Sequence, residues 1–439
     1  MAVLPVEVLV KIAFSIKDVE DLFAFLEALR PYDMLGPLAH LYELFTTRHH
    51  LGLWPSLALH PTILDSSERP LYEGITKYYE HVVVENVWSD VEWLKTYLSP
   101  MAQIGWNLKD IDMYLTSISL DEWTDLRITR LALDIEDEDE AIWCTNAVSQ
   151  LPSLTCLEAD ISSFELEDFF ANLAASQQIT QLHLSFDEYQ LTAFDLAHLT
   201  EWLRHQPVRH LGCEFGDWED LDLDVKETFY QAMFNCPTMA ILELSGCKVD
   251  DVDFAQYDFP MRSLVLHQCC LSSRQVEALV SRLERSKMTS LQLTDFTFDY
   301  MDGIVSLLEI QPRTRIQHLA LGGLHKYVAT WSILAPSIEK LTVERLIFCA
   351  TEFPSDAAES LAMAIQNNPS ICELHLNCCD ITLSGLVLLI QSITHPSRQT
   401  KSKRVRWTAQ QVQFPDPEIF QALVELAVDS GGEFVYEEV

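Results

Sequence analysis

Three clusters in the sequence have residue types that could do chemistry. Asp220-x-Asp222-x-Asp224 places carboxylates at alternate positions, as a calcium-binding loop does. Such a loop also needs glycine at its sixth place and a bidentate glutamate at its twelfth, where Val225 and Gln231 stand, so the calcium reading is rejected. The adjacent thiols Cys269-Cys270 and Cys378-Cys379 are soft ligands, yet no cysteine or histidine pair has the spacing of a zinc site. The acidic run Asp134-Ile-Glu-Asp-Glu-Asp-Glu140 reads as a solvated loop or a contact for a basic partner. The motifs GxxxxGK[ST], GxGxxG, GxSxG and HExxH are all missing. The expectation is a binding protein with no catalytic residues, no metal and no cofactor.

The elements that carry these residues repeat. Ten segments share the form apolar-x-x-Leu-x-apolar: ITRLAL, LTCLEA, ITQLHL, VRHLGC, MAILEL, MRSLVL, MTSLQL, IQHLAL, IEKLTV and ICELHL. Their fourth-place leucines are Leu131, Leu157, Leu182, Leu211, Leu242, Leu264, Leu291, Leu319, Leu341 and Leu374, at intervals of 22 to 33 residues. Between them lie helical patterns. Ser272-Ser273 caps VEALVSRLERSK, and SDAAESLAMAIQNNP runs from a serine cap to an Asn-Asn-Pro stop. Period and pattern resemble the leucine-rich repeat, in which each turn of a solenoid is a short strand followed by a helix. In that family a small or polar residue just after the strand satisfies backbone groups of the turn, a place that Cys247, Cys269 and Cys379 take here. HVVVE (His81–Glu85) and LKDIDMYL (Leu108–Leu115) read as degenerate first turns, KRVRWT as a last strand and Pro417–Val428 as a closing helix.

Composition narrows the partners. Acidic residues number 66 against 29 basic, a net charge of −37, which disfavours nucleic acid and anionic membrane surfaces. Apolar runs such as Leu386–Ile390 fall far short of a membrane span. The apolar N-terminus is interrupted by Glu7, Lys11 and Lys17 and is not read as a signal peptide. Eleven cysteines without a CxxC pair suit free thiols in a reducing compartment, the cytoplasm or the nucleus.

One segment stands outside the repeat. LPVEVLVKIAFSIKDVEDLFAFLEAL (Leu4–Leu29) reads as two short helices, with LGPLAHLYELF (Leu35–Phe45) as a third. Between Val8 and Ile16 only Lys11 and Ser15 are polar, so the first helix is expected to be covered on nearly all sides. The pattern Leu4-Pro5-x-Glu7 with a later Asp21-Leu22 resembles an F-box over about residues 4–45. That resemblance implies docking on the adaptor subunit of a cullin–RING (SCF-type) ubiquitin ligase, through Leu4, Pro5, Val8, Leu9, Ile12, Asp21, Leu22 and Phe25. An F-box followed by leucine-rich repeats resembles the substrate receptors of such ligases. The other reading makes the segment a cap that seals the first repeat of a ligase-independent scaffold or inhibitor.

The expected fold class is α/β: a leucine-rich-repeat solenoid, with a curved parallel sheet and helices on its convex side, behind a small α-helical F-box-like segment. The expected division is residues 1–48 for that segment, 49–125 for a connecting region with degenerate repeats, 126–395 for the solenoid and 396–439 for a capping unit. In each LxL the leucines point inward, so the residues before, between and after them face out on the concave sheet. Five histidines take such places (His183, His210, His267, His318 and His375) where fourteen in 439 residues would put about one by chance. Asp134, Glu158, Asp160, Glu214, Glu243, Glu344 and Glu373 share this face. The expected target surface is His183, His210, Glu243, His267, Gln292, His318 and His375, acidic and histidine-dotted, suited to a basic target protein with pH-dependent affinity. Trp202 and Trp218 are set aside as aromatics that could anchor a partner near the concave rim.

Overall fold

The computed structural model describes residues 4–47, 52–109, 118–162, 167–186, 189–214, 221–247, 249, 251–269, 271–294, 301–324, 331–400, 403–409 and 417–438. The chain forms two compact units, residues 1–189 and 190–439.

The first unit opens with three helices, α1 (Val6–Ala13), α2 (Val19–Leu29) and α3 (Leu38–Thr47). Pro5 is the residue before α1, and Asp18 caps α2 by accepting from the main-chain nitrogens of Glu20 and Asp21 at 2.9 and 3.0 Å. Gly36 turns the chain into α3 at φ +52°, and a β-carbon there would meet Val6 at 2.7 Å. Strand and helix then alternate: β1 (Leu57–Leu59), α4 (Arg69–Ile75), β2 (His81–Glu85), α5 (Val91–Tyr97), β3 (Gln103–Leu108), β4 (Ile128–Ile135), α6 (Glu138–Gln150), β5 (Cys156–Ile161), α7 (Glu167–Ala175) and β6 (Gln181–Phe186). Each strand pairs in parallel with the next, with one register shift between Ile104 and Gly105 where β3 meets β4.

The second unit continues the same device. It holds α8 (Ala193–His205), β7 (His210–Glu214), α9 (Leu223–Phe234), β8 (Ile241–Ser245), β9 (Ser263–His267), α10 (Ser273–Leu283), β10 (Ser290–Thr294), α11 (Met301–Ile310), β11 (His318–Gly322) and α12 (Trp331–Ile338). After these come β12 (Arg345–Cys349), β13 (Glu352–Phe353), α13 (Ser355–Asn367), β14 (Glu373–Asn377), β15 (Asp380–Ile381), α14 (Leu383–Ile393), β16 (Arg404–Ala409), α15 (Pro417–Asp429) and β17 (Glu433–Glu438). Nine of these strands form one parallel sheet in chain order, and β13 pairs with β15 beside it. This is the leucine-rich-repeat type of α/β solenoid.

Register explains the core. Leu242, Leu264, Leu291, Leu319, Leu346 and Leu374 face one another across adjacent strands, as do Leu244, Leu266, Leu293, Leu321, Phe348 and Leu376, and all are buried. Each such side chain contributes about 1.5–3 kcal/mol by leaving water. Truncating one to alanine would cost roughly 2–5 kcal/mol, because stacked repeats cannot collapse around the gap.

Behind six of the strands, β2, β8, β9, β11, β12 and β14, the chain reverses through one left-handed residue at the same place in the repeat. Asn86, Gly246, Gln268, Gly323, Ala350 and Cys378 all have φ between 46° and 65°. The main-chain nitrogen of each donates to the following strand, for instance Ala350 to Asn377 O at 2.9 Å and Cys378 to Thr408 O at 2.8 Å. The next residue closes the turn with its side chain. Cys247, Cys269 and Cys379 donate to Cys213, Leu244 and Phe348 carbonyls of the preceding repeat at 3.9, 3.4 and 3.3 Å. Thr351 does the local part of this work, donating to Cys349 O at 3.0 Å.

Several expectations need correction. IEKLTV is not a strand: β12 begins at Arg345, and its core leucine is Leu346, not Leu341. Intervals of 22 and 33 residues thereby become 27 and 28. Ile338 ends α12, and Leu341 is buried in the turn that follows, where the Asn368 amide donates to the carbonyls of Ile338, Glu339 and Leu341 at 2.9, 3.2 and 2.8 Å. A helix exit that buries two apolar residues three apart imitates a strand in sequence. In LKDIDMYL, Leu108 ends β3, whose sequence is QIGWNL; most of that segment lies outside the described residues. Ser355 is the first residue of α13 and makes no cap bond, whereas Ser272 caps α10 in a reciprocal pair with Gln275. Strands β1 and β17 add turns at positions where no strand was expected.

Candidate functional site

The three opening helices divide the expected docking residues into two sets. Leu9 and Leu22 are buried, with Leu26, Leu38, Leu41, Leu44 and Phe45, in the small core where α1 packs on α2 and α2 on α3. These two belong to the fold, so the expectation that they are presented to a partner is corrected. Phe25 is half-buried, while Pro5 and Asp21 are exposed. Leu4, Val8 and Ile12 are 49%, 39% and 36% exposed, and Val6 joins them at 39%. Residues 4, 8 and 12 follow one another on a single face of the α1 path. Within the chain itself α1 is therefore covered on one face only. Its Leu9, Val10 and Ala13 face is used up, and its Leu4, Val8 and Ile12 face is open.

The same helix is anchored to the chain behind it. The Phe14 ring meets Trp54 and Tyr79 edge-on at 5.3 and 4.9 Å between centroids. The Trp54 indole donates to Lys17 O at 3.2 Å, and the Tyr79 hydroxyl donates to Leu53 O at 2.7 Å. Three aromatic rings, two of them with a satisfied polar tip, hold the end of α1 in place.

On the sheet face the register puts His183 between the two core residues of β6, and Glu243, Gln292 and His375 at the same place in β8, β10 and β14. His210 and His318 precede the first core residue of β7 and β11, and His267 follows the last one of β9. All are half-buried except His375, which is buried. The His267 Nδ1 lies 2.8 Å from the Thr294 hydroxyl, and His210 Nε2 lies 3.4 Å from Glu243 Oε1.

The carboxylates of this face are largely matched. Arg130 bonds Glu158 at 2.5 Å, Lys109 bonds Asp160 at 2.7 Å, and Asn107 donates to Glu85 at 2.7 Å. In the second unit Arg345 bonds Glu373 and Arg404 bonds Glu433, each at 2.6 Å. His318, Arg345, Glu373, Arg404 and Glu433 stand abreast on successive paired strands. The simple picture of an acidic face is corrected: it is a charge-alternating one. Arg130 and Arg404 could have been found by counting register from the leucines. Arg345 was hidden by the misplaced IEKLTV strand, which put Glu344 on the face in its stead. Trp202 is fully buried in α8 and is not a rim anchor; Trp218, Cys270 and Asp220 lie outside the described residues.

The ten described cysteines are free thiols, and Cys378 is exposed. Burial pushes the Cys144 thiol up to about 12 and the Cys213 thiol well above its usual value, which makes both inert. Among the described residues no helix is long and apolar enough to cross a membrane.

No family model matches the chain, and no curated protein does. Among solved structures it is similar to the crystal structure of the Rad7 and Elc1 complex in yeast. The identity is 13% and the TM-score 0.36, over 97% of this chain and 91% of that one.

Proposed function

We propose that the chain is the substrate-recognition subunit of a cullin–RING (SCF-type) ubiquitin ligase, acting in the cytoplasm or nucleus. In this reading α1 to α3 dock on the adaptor subunit, and the sheet face holds a target protein. The observation that carries it is the open Leu4, Val8 and Ile12 stripe on a helix whose opposite face is already packed. No residue of the chain need do chemistry. Holding a target beside the ligase raises its local concentration there, and that is the catalytic contribution.

The sheet face suits a target of mixed charge. Arginines and carboxylates alternate across its strands, so a partner that presents the complementary alternation gains specificity more than raw affinity.

The test is capture of the adaptor subunit by the intact chain, compared with Val8→Asp plus Ile12→Asp. Both positions are exposed, so this variant keeps its circular dichroism. Adaptor captured by the first and lost by the second supports the reading. An intact chain that captures no adaptor overturns it. The Phe14, Trp54 and Tyr79 cluster would then make the helices a cap on a ligase-independent binding scaffold.

A further inference from the structure

In the first unit, the strand entries form a cleft with no acid in its wall. Its volume is about 430 Å³, and Arg127 and Arg130 line it with Gln103, Ser153, Thr155 and Gln181. Gly105 pairs with Arg130, Arg130 with Cys156 and Cys156 with Gln181, so the cleft spans β3 to β6. The Arg127 carbonyl accepts from the main-chain nitrogen of Ile104 at 3.0 Å, which fixes that residue at the entry to β4. Clefts elsewhere on the sheet differ in charge: the one beside His318 includes Glu344 and Glu373, and the one beside Val83 includes Glu158.

The two arginines are placed differently. Arg130 is committed to Glu158 at 2.5 Å. Arg127 makes no ion pair among the described residues, and its one side-chain bond runs from Nη1 to Met101 O at 3.1 Å. That leaves Nε and Nη2, which share one edge of the planar group and form the fork that matches the two oxygens of a carboxylate. Arg127 is half-buried, yet neither of these nitrogens is shut off from water. The Ser153 hydroxyl and the Gln103 and Gln181 amides make no hydrogen bond among the described residues and are open to water as well. Acidic residues outnumber basic ones 66 to 29, so Arg127 does not lack a carboxylate because carboxylates are scarce.

We infer that this cleft binds an acidic peptide segment of the target, with one carboxylate taken by the Nε and Nη2 edge of Arg127. Ser153, Gln103 and Gln181 supply donors for its neighbours. The net charge of −37 does not forbid this. At physiological ionic strength charges are screened over about 8 Å, so the lining of the cleft sets the local field. The inference rests on the sheet face being the target surface of the proposed receptor, and it names the charge that this end of the face meets.

Fluorescence anisotropy of a rhodamine-labelled hexaglutamate peptide titrated with the full chain tests it, beside hexaglutamine, hexalysine and a serine hexapeptide with one phosphate. Saturable binding of hexaglutamate, tighter than that of hexaglutamine, is expected. Arg127→Met should weaken it at least about tenfold. Thr155→Glu, which puts an acid at an exposed position of the wall, should weaken it too, and Arg404→Met in the second unit should not. Hexalysine binding should be the same for the intact chain and Arg127→Met, which separates the cleft from the overall charge. Hexaglutamate bound no better than hexaglutamine, or equally by the intact chain and Arg127→Met, overturns the inference. So does binding of the phosphate peptide alone, which would assign the cleft to a phosphoryl group. If Arg127→Met does not fold, Thr155→Glu and Arg127→Lys decide, since lysine keeps the charge and loses the fork. Adaptor capture reads α1 and not this cleft. Its failure with hexaglutamate still bound removes the ligase and keeps the cleft, and the converse removes the cleft alone.

Discussion

The Nε2 of His375 lies 3.4 Å from Oε2 of Glu373, the same oxygen that accepts from Nε of Arg345 at 2.6 Å. One carboxylate thus faces an arginine and an imidazole, and the better-placed arginine takes the bond. Burial pushes the His375 pKa below its ordinary 6.5, the charges of Arg345 and Arg406 push it further, and Glu373 restores only part. Burial would raise the Glu373 carboxyl above its ordinary 4.5, yet the Arg345 bond with the charges of Arg345, His375 and Arg404 leaves it lowered.

These shifts set two pH windows. Below 6.5 and above the folded value of His375, the unfolded chain holds more protons than the native one, so stability falls as pH falls through that window. His375→Gln should flatten this limb in thermal unfolding measured from neutral pH downward. Glu373 acts at lower pH: its contribution is present above 4.5 and is lost as pH falls through the folded value beneath that. Glu373→Gln should remove this second limb and deepen the first, because Glu373 no longer restores part of the His375 pKa. Identical pH profiles for His375→Gln and the parent would refute the assignment.

The left-handed turn residues predict opposite signs for opposite changes. Ala350 sits at φ 46° and Gly323 at φ 64° in equivalent turns. An alanine in this region costs about 1–2 kcal/mol, against which glycine loses more chain entropy on folding. Ala350→Gly should therefore be stabilising by roughly 0.5–1 kcal/mol, and Gly323→Ala destabilising by about 1 kcal/mol or more. Urea titration of the two variants checks the pair.

The Asn368 amide is fully buried and makes five bonds, three as donor and two as acceptor from the nitrogens of Ser370 and Ile371 at 2.7 and 2.9 Å. Asn368→Ala orphans carbonyls of one repeat and nitrogens of the next, at a cost of roughly 2–4 kcal/mol. Asn368→Asp should cost more, because a carboxylate cannot donate to the three carbonyls. A thermal midpoint unchanged by either substitution would show that water replaces the amide.

Adjacent cysteines should differ in reactivity. Cys378 is exposed at a turn, whereas Cys379 is buried with its thiol on Phe348 O, and burial raises its pKa. Maleimide labelling of the native chain, read by peptide mass spectrometry, should modify Cys378 and spare Cys144, Cys213 and Cys379. Labelling in urea should reach all four. Early native labelling of Cys379 would mean that the turn opens.

The opening helices supply a further check. Leu9→Asp or Leu22→Asp places a charge in the α1 to α3 core and should unfold that segment, with loss of helical ellipticity. Leu4→Asp and Val8→Asp should not.

Much of the architecture was legible because the solenoid is local. A strand that buries alternate residues and a helix that returns the chain are written within one repeat, so the leucines of β4 to β11 and of β14 could be counted off. The thiols behind the strands were legible for the same reason. The sequence could not separate Leu341 from Leu346. A helix exit and a strand can show the same apolar spacing, and pairing with β11 and β14 selects between them. Nor could it split Leu4, Val8 and Ile12 from Leu9 and Leu22. All five are apolar, and only the packing of α2 and α3 uses one face of α1 and leaves the other.

What the sequence by itself determined is the repeat, its core leucines, the great excess of negative charge and the helical segment ahead of the array. Each depends on residue type and near spacing. Tertiary structure decided which carboxylates are matched, since Arg345 and Glu373 are 28 residues apart in the chain and neighbours across two strands. It also decided which apolar face stays open. Those are properties of what surrounds a side chain, and in a solenoid the surroundings come from the next turn of the chain.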